Sequence, residues 1–130
     1  MEKGMFDESD YISIYTRSDA LQDGLLIDLS LVAKEEGFLV PVAVTCGAYR
    51  KIRPHEESDP GGQDLRGRLH DMFWMLRLHA IQERYAETDR LAFNFLIAEN
   101  GVSRMVELVF VIHPGDQGEP VMTIMLPHED

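Results

Sequence analysis

Cysteine is nearly missing from this 130-residue chain: a single residue, Cys46, leaves no internal disulfide and no thiolate cluster within one chain to hold a metal. A reducing cytoplasm is the setting this implies. No apolar run approaches the ~20 residues a membrane span needs. The leader MEKGMFDESD is acidic and lacks the apolar stretch of a secretory signal, so the expected protein is cytoplasmic and makes no contact with a membrane. Basic residues are also scarce, 12 Lys and Arg against 23 Asp and Glu for a formal net charge of −11, which disfavours direct binding to nucleic acid.

An acidic imitation of nucleic acid would want that charge, but its placement argues for solubility instead. Residues 1–10 carry −3, residues 54–60 carry −3 through Glu56, Glu57 and Asp59, and the terminal Glu129 and Asp130 add −2. These are an expected flexible tail, an expected loop and a chain end. The hydrophobic fraction of 45% and the length suit one globular domain over residues 1–130.

What is abundant is apolar periodicity in LRGRLHDMFWMLRLHAIQERYA, Leu65 to Ala86. At roughly 100° per residue, Leu65, Leu69, Met72, Phe73, Leu76 and Ala80 share one face, a core stripe. Trp74, Leu78 and Ile81 form a second apolar strip, with His70, Asp71, Arg77 and Gln82 on the flanks. Such a helix is covered on both sides, by its own chain, by a second copy or by a different partner. The strip Trp74, Leu78, Ile81, together with His70 and Arg77, is the candidate interface.

Upstream the elements are short. Tyr11 to Tyr15 alternates like a strand, Ser18 is placed to cap a helix over Asp19 to Gln22, and Asp23-Gly24 ends it. Leu25 to Leu29 reads as a strand, and Ser30 starts a second helix that Gly37 stops. The segment Phe38 to Arg53 is ambiguous: VPVAVT has strand propensity, whereas Pro41 suits a first helical position, and the helix from Pro41 is preferred. RPHEESDPGGQ, residues 53–63, is expected to be a mobile loop.

Downstream the pattern turns to strands over Leu91 to Ala98, Val102 to His113 and Val121 to Leu126. Asn100-Gly101 is a strong hairpin signal, and Pro114 to Pro120 makes the next reversal. The fold class expected is α+β: one long central helix packed on a C-terminal three-stranded antiparallel meander, with short N-terminal strands and helices. Asp116, Gln117 and Glu119 at the second hairpin tip are candidate contacts, because a turn held by two strong strands presents side chains well.

Chemistry-bearing patterns are weak. His70 and His79 lie nine residues apart, about 180° around a helix, and cannot share a metal. His113 near Asp116 and Glu119 lacks the dense oxygen ligands of a divalent-ion loop. Cys46 on an apolar face reads as a small buried residue rather than a nucleophile. Gly61-Gly62 precedes a helix but has neither Walker lysine nor dinucleotide spacing, and Asp64 reads as the helix cap. Arg66 and Arg68 face either an acidic partner or Asp64 and Asp71. No catalytic residue, metal ligand or cofactor site is therefore assigned.

The stretches YTRSDALQDGLLIDLSLVAKEEGF, PVAVT, GQDLRGRLHDMFWML and PGDQGEPVMTIMLPHED together resemble a family of small proteins of unknown function found on bacterial plasmids, integrative elements and phages. The resemblance implies an accessory gene of a mobile element working in the bacterial cytoplasm. The function expected is non-enzymatic binding of another protein, for instance a host or defence protein, with a homodimer as a separate option. The alternatives are an acidic nucleic-acid mimic blocking a basic channel of a host defence complex, and a small enzyme or ligand-binding domain with a pocket near His70, Trp74 and Tyr49.

Overall fold

In the computed structural model of the chain, residues 15–54, 64–82 and 90–129 are described, apart from the side chains of 81 and 82. Residues 11–14 of the expected strand over Tyr11 to Tyr15, most of the 53–63 loop, the acidic leader and the end of the long helix beyond Gln82 lie outside these residues. The elements are α1 (Arg17–Asp23), β1 (Leu26–Asp28), α2 (Ser30–Glu35), β2 (Val42–Thr45), α3 (Cys46–Ile52), α4 (Leu65–Gln82), β3 (Arg90–Glu99), β4 (Val102–Pro114) and β5 (Pro120–Met125).

The strands form one mixed sheet in the order β1-β2-β5-β4-β3. This α+β architecture corrects the expected one of a central helix on a three-stranded meander. β4 pairs antiparallel with β3 and β5, but the other side of β5 pairs in parallel with β2, through Val42↔Met122, Ala43↔Thr123 and Val44↔Ile124. β1 completes the sheet beside β2, antiparallel. The helix α4 is 18 residues long in the described chain, and its contacts with the sheet are concentrated on the edge strand β3.

The physical cause of the difference is the segment after Pro41. A short strand buried on both faces reads as a continuous apolar run, and Val42, Ala43 and Val44 are all buried. Proline stands just ahead of the strand, where its missing N–H costs no ladder bond, while its carbonyl accepts from Met122 N at 2.9 Å. The helix expected from Pro41 begins instead at Cys46, after Thr45, whose hydroxyl oxygen accepts from Ala48 N at 3.1 Å. Likewise α1 is capped by Thr16 rather than Ser18, in a reciprocal box with Asp19. Ser30, expected to cap α2, serves as a latch to β2: its Oγ accepts from Val42 N at 3.0 Å.

Other expectations correspond closely to the structure. Asn100 and Gly101 both have left-handed φ, 53° and 76°, which a two-residue hairpin turn requires. Asp64 Oδ1 accepts from Gly67 N at 2.8 Å in the first turn of α4. On the face of α4 that meets the sheet, Leu69, Met72, Phe73 and Leu76 are buried against Phe93, Phe95 and Ile97 of β3 and Leu108 of β4. Alternation along the strands sends the intervening residues, Asn94 and Leu96 on β3 and Met105 on β4, to the opposite face. No helix among the described residues is long and apolar enough to cross a membrane.

Candidate interaction surface

Because α4 lies along the sheet edge, its second strip has no element of the described chain above it. Trp74 is 50% exposed and Leu78 39%. Beside Trp74 the sheet adds two large apolar side chains, Leu96 and Met105, which pair across β3 and β4 and are 55% and 54% exposed. Trp74, Met75 and Asp71 from the helix and Asn94, Leu96 and Met105 from the strands line one groove of about 310 Å³. Ile81 continues the strip in sequence, but its side chain lies outside the described residues.

The two polar members of the candidate interface brace the groove from the other side. His70 Nδ1 lies 2.9 and 3.1 Å from the Glu36 carboxylate oxygens, and Arg77 donates from Nη2 to the Glu36 carbonyl. Both therefore tie α4 to the C-terminal end of α2, around the buried contact of Phe38 with Phe73, whose ring centroids are 5.1 Å apart. Gly37 follows in a left-handed conformation at φ 94°, and a Cβ there would meet the Arg77 guanidinium at 3.2 Å. The His70 ring remains exposed, with its centroid 6.4 Å from that of Trp74. Tyr49, expected near the same pocket, packs against the core cluster.

The hydrogen bond His70 makes to Glu36, and then the Glu36 charge, raise the pKa of His70 above its ordinary 6.5. A group whose folded pKa is raised contributes its stabilising contact fully below the unfolded value and loses it as pH rises through the folded value. The brace is thus an acid-side contact, formed below about pH 6.5 and fading above the raised pKa. An NMR titration of the His70 ring should show a midpoint above 6.5 that returns to the ordinary range in Glu36→Gln. An unchanged midpoint in that variant would remove Glu36 as the cause.

The second hairpin tip is largely occupied by the chain itself. Asp116 Oδ1 and Oδ2 accept from Arg17 N and Ser18 N at 2.9 and 3.0 Å, so the turn docks on the first turn of α1. Glu119 Oε1 accepts from Gln117 N at 2.8 Å, leaving Gln117 as the exposed side chain of the three with no such bond. Among the described residues, no group of three or more His, Cys, Asp or Glu gathers at metal-holding distance.

Leu96 and Met105 are the surface residues that sequence reasoning missed. The signal for Leu96 was present: in LAFNFLIAE the buried register is Phe93, Phe95, Ile97, and Leu96 is a large apolar residue in the register it shares with Asn94. Met105 had no such marker, because its place opposite Leu96 depends on the hairpin register.

No curated protein and no solved structure matches the chain. A family description does match, over residues 1–130, and the chain belongs to that family, DUF6573, a family of unknown function.

Proposed function

We propose that this chain is a non-enzymatic accessory protein of a mobile genetic element, working in the bacterial cytoplasm by binding another protein through the groove of Trp74, Leu96 and Met105. The observation that carries the reading is the convergence of three large, half-exposed apolar side chains from α4, β3 and β4 on one groove at a sheet edge. Interface hot spots have this composition, an aromatic anchor among apolar neighbours. The net charge of −11 favours a partner whose rim is basic, because opposite charge speeds encounter, and it opposes pairing of two like-charged copies. A host or defence protein with a basic surface fits this chemistry.

The nucleic-acid mimic has weaker support. Asp19, Asp28, Asp64, Asp116, Glu119 and Glu129 accept backbone or hydroxyl hydrogens of the chain itself. Glu35, Glu36 and Glu99 pair with Arg66, His70 and Arg104. Carboxylates committed in this way do not present a row of phosphate-like charges.

A photoreactive amino acid at position 74 or 105, expressed in the bacterial host, should cross-link to one and the same protein. The same group at Leu25, exposed beside the opposite edge of the sheet, should not. Trp74→Ala should weaken that capture by roughly thirtyfold, the size of a hot-spot loss. Equal cross-linking at all three positions, cross-links only to a second copy, or a hydrolase, nuclease or transferase activity in the pure protein would overturn the proposal.

A further inference from the structure

The face of the sheet turned away from α4 bears a cleft of about 740 Å³. Alternation along the strands sets Val111, His113, Thr123 and Met125 on this face, and α1 delivers Arg17 and Ala20 to the same space. Thr123 is almost wholly buried and sits at the junction. Its Oγ1 accepts from Arg17 Nη1 at 2.6 Å and lies 2.7 Å from His113 Nε2. His113 Nδ1 is 3.1 Å from the Pro114 carbonyl, which can only accept. Nδ1 therefore carries a hydrogen.

Arg17 is held by uncharged groups. Nη1 donates to Thr123 and Nη2 to the Met122 carbonyl at 2.9 Å, which uses two of the five N–H donors a guanidinium carries. No ion pair among the described residues includes it. The nearby carboxylates are engaged elsewhere: Asp116 on the first two amides of α1, Glu129, also in the cleft lining, on the Thr45 hydroxyl at 2.7 Å and Leu126 N at 2.8 Å, Asp28 on Ser30 N at 2.9 Å and Glu119 on Gln117 N. Burial lowers the pKa of Arg17, while Asp28, Asp116 and Glu119 act in the opposite direction from a distance. A half-buried cation without a contact counter-ion, fixed at the wall of a cleft, is arranged to receive an anion.

We propose that this cleft binds a small amphiphilic organic anion, its carboxylate-like head against Arg17 and its apolar body along Ala20, Leu26, Val111 and Met125. Its apolar floor and the fixed guanidinium of Arg17, with Arg90 a second cation in the lining held on the Pro127 carbonyl, suit such a molecule better than a bare ion, because apolar burial supplies affinity and the guanidinium supplies orientation. The amides at the start of α1 take no part, since Asp116 and Thr16 already accept from them. The cleft is on the same sheet face as Leu96 and Met105 but shares no lining residue with their groove, and it does not depend on it.

The test is an amide-resolved NMR titration of the full chain with octanoate, with octylammonium as the same body of opposite charge, and with inorganic phosphate as charge without a body. Octanoate should shift the amides of Ala20, Val111, Thr123 and Met125 saturably, octylammonium should not, and phosphate should bind at least about tenfold more weakly. Arg17→Met should weaken octanoate about tenfold or more, and Arg17→Lys should recover part of it. If Arg17→Met fails to fold, the octanoate and octylammonium contrast on the natural chain decides alone. No saturable shift, an equal response to octylammonium, or shifts confined to the Trp74 groove would overturn the assignment. Phosphate binding as tightly as octanoate would overturn its apolar half.

Discussion

Arg68→Met is expected to lower the stability of the folded chain by about 3–5 kcal/mol, the cost of removing one side of a buried charged network. Arg68 is fully buried. Its Nη1 donates to the Ile52 carbonyl and its Nη2 to the Ala98 carbonyl, each at 2.8 Å, and Glu99 Oε2 lies 3.9 Å from Nη2. Ile52 is the last residue of α3, where carbonyls lose their helical partners. Ala98 stands next to the β3–β4 turn, so one guanidinium closes the end of a helix and the base of a hairpin. Methionine would fill the volume and supply no donor. Glu99 would keep Arg104, whose Nε is 3.3 Å away, and lose the buried half of its positive surroundings. Urea unfolding should show a lower midpoint with an unchanged slope, and the melting temperature should fall by roughly 10–20 °C. Arg68→Lys, with one donor centre in place of two, should fall between. A change under about 1 kcal/mol in Arg68→Met would show that the network is neutral to the fold.

Nothing local in the sequence separates this arginine from Arg66, two residues earlier. Arg66 is exposed and pairs with Glu35, much as an arginine facing acidic groups is expected to do. Arg68 stands four residues before Met72 on the core face of α4, and Arg66 three before Leu69 on the same face. The partners of Arg68 are backbone carbonyls at Ile52 and Ala98, and a carbonyl leaves no mark in a sequence. The same reasoning explains the sheet. The β3–β4 hairpin was legible because Asn100-Gly101 encodes its own geometry and the pairing is local. Parallel pairing of β2 with β5 joins Val44 to Ile124 with α3, α4, β3 and β4 between them, and no spacing rule links two such short runs.

Caps were legible only where a single candidate stood at the boundary. Asp64 is the nearest capping residue ahead of α4 and it acts as one. Before α1, both Thr16 and Ser18 can cap. The choice falls to Thr16 because Asp19 then returns the bond to its amide at 3.2 Å, and because Asp116 arrives from the distant β4–β5 turn to take the next two amides. At the candidate surface the strip was visible from Trp74 and Leu78 alone, while its other half came from strand register.

Two adjacent residues of α4 give the sharpest separation between core and surface. Phe73→Ala should cost about 3–5 kcal/mol, because Phe73 is fully buried and packs against Phe38. Trp74→Ala removes a larger ring, yet half of that ring already faces solvent, so the expected loss is within about 1 kcal/mol. Partner capture should invert the order: Phe73→Ala, compared at equal concentrations of folded protein, should keep it, and Trp74→Ala should lose it. Leu78→Glu extends the test along the strip, since a charge is tolerated at an exposed helix position and not inside an apolar contact. Guanidine or urea unfolding and cross-linking yield of the three variants together settle the assignment. Were Trp74→Ala or Leu78→Glu to unfold the chain as Phe73→Ala does, the strip would be core, and the convergence of Trp74 with Leu96 and Met105 would be packing rather than a place for a partner.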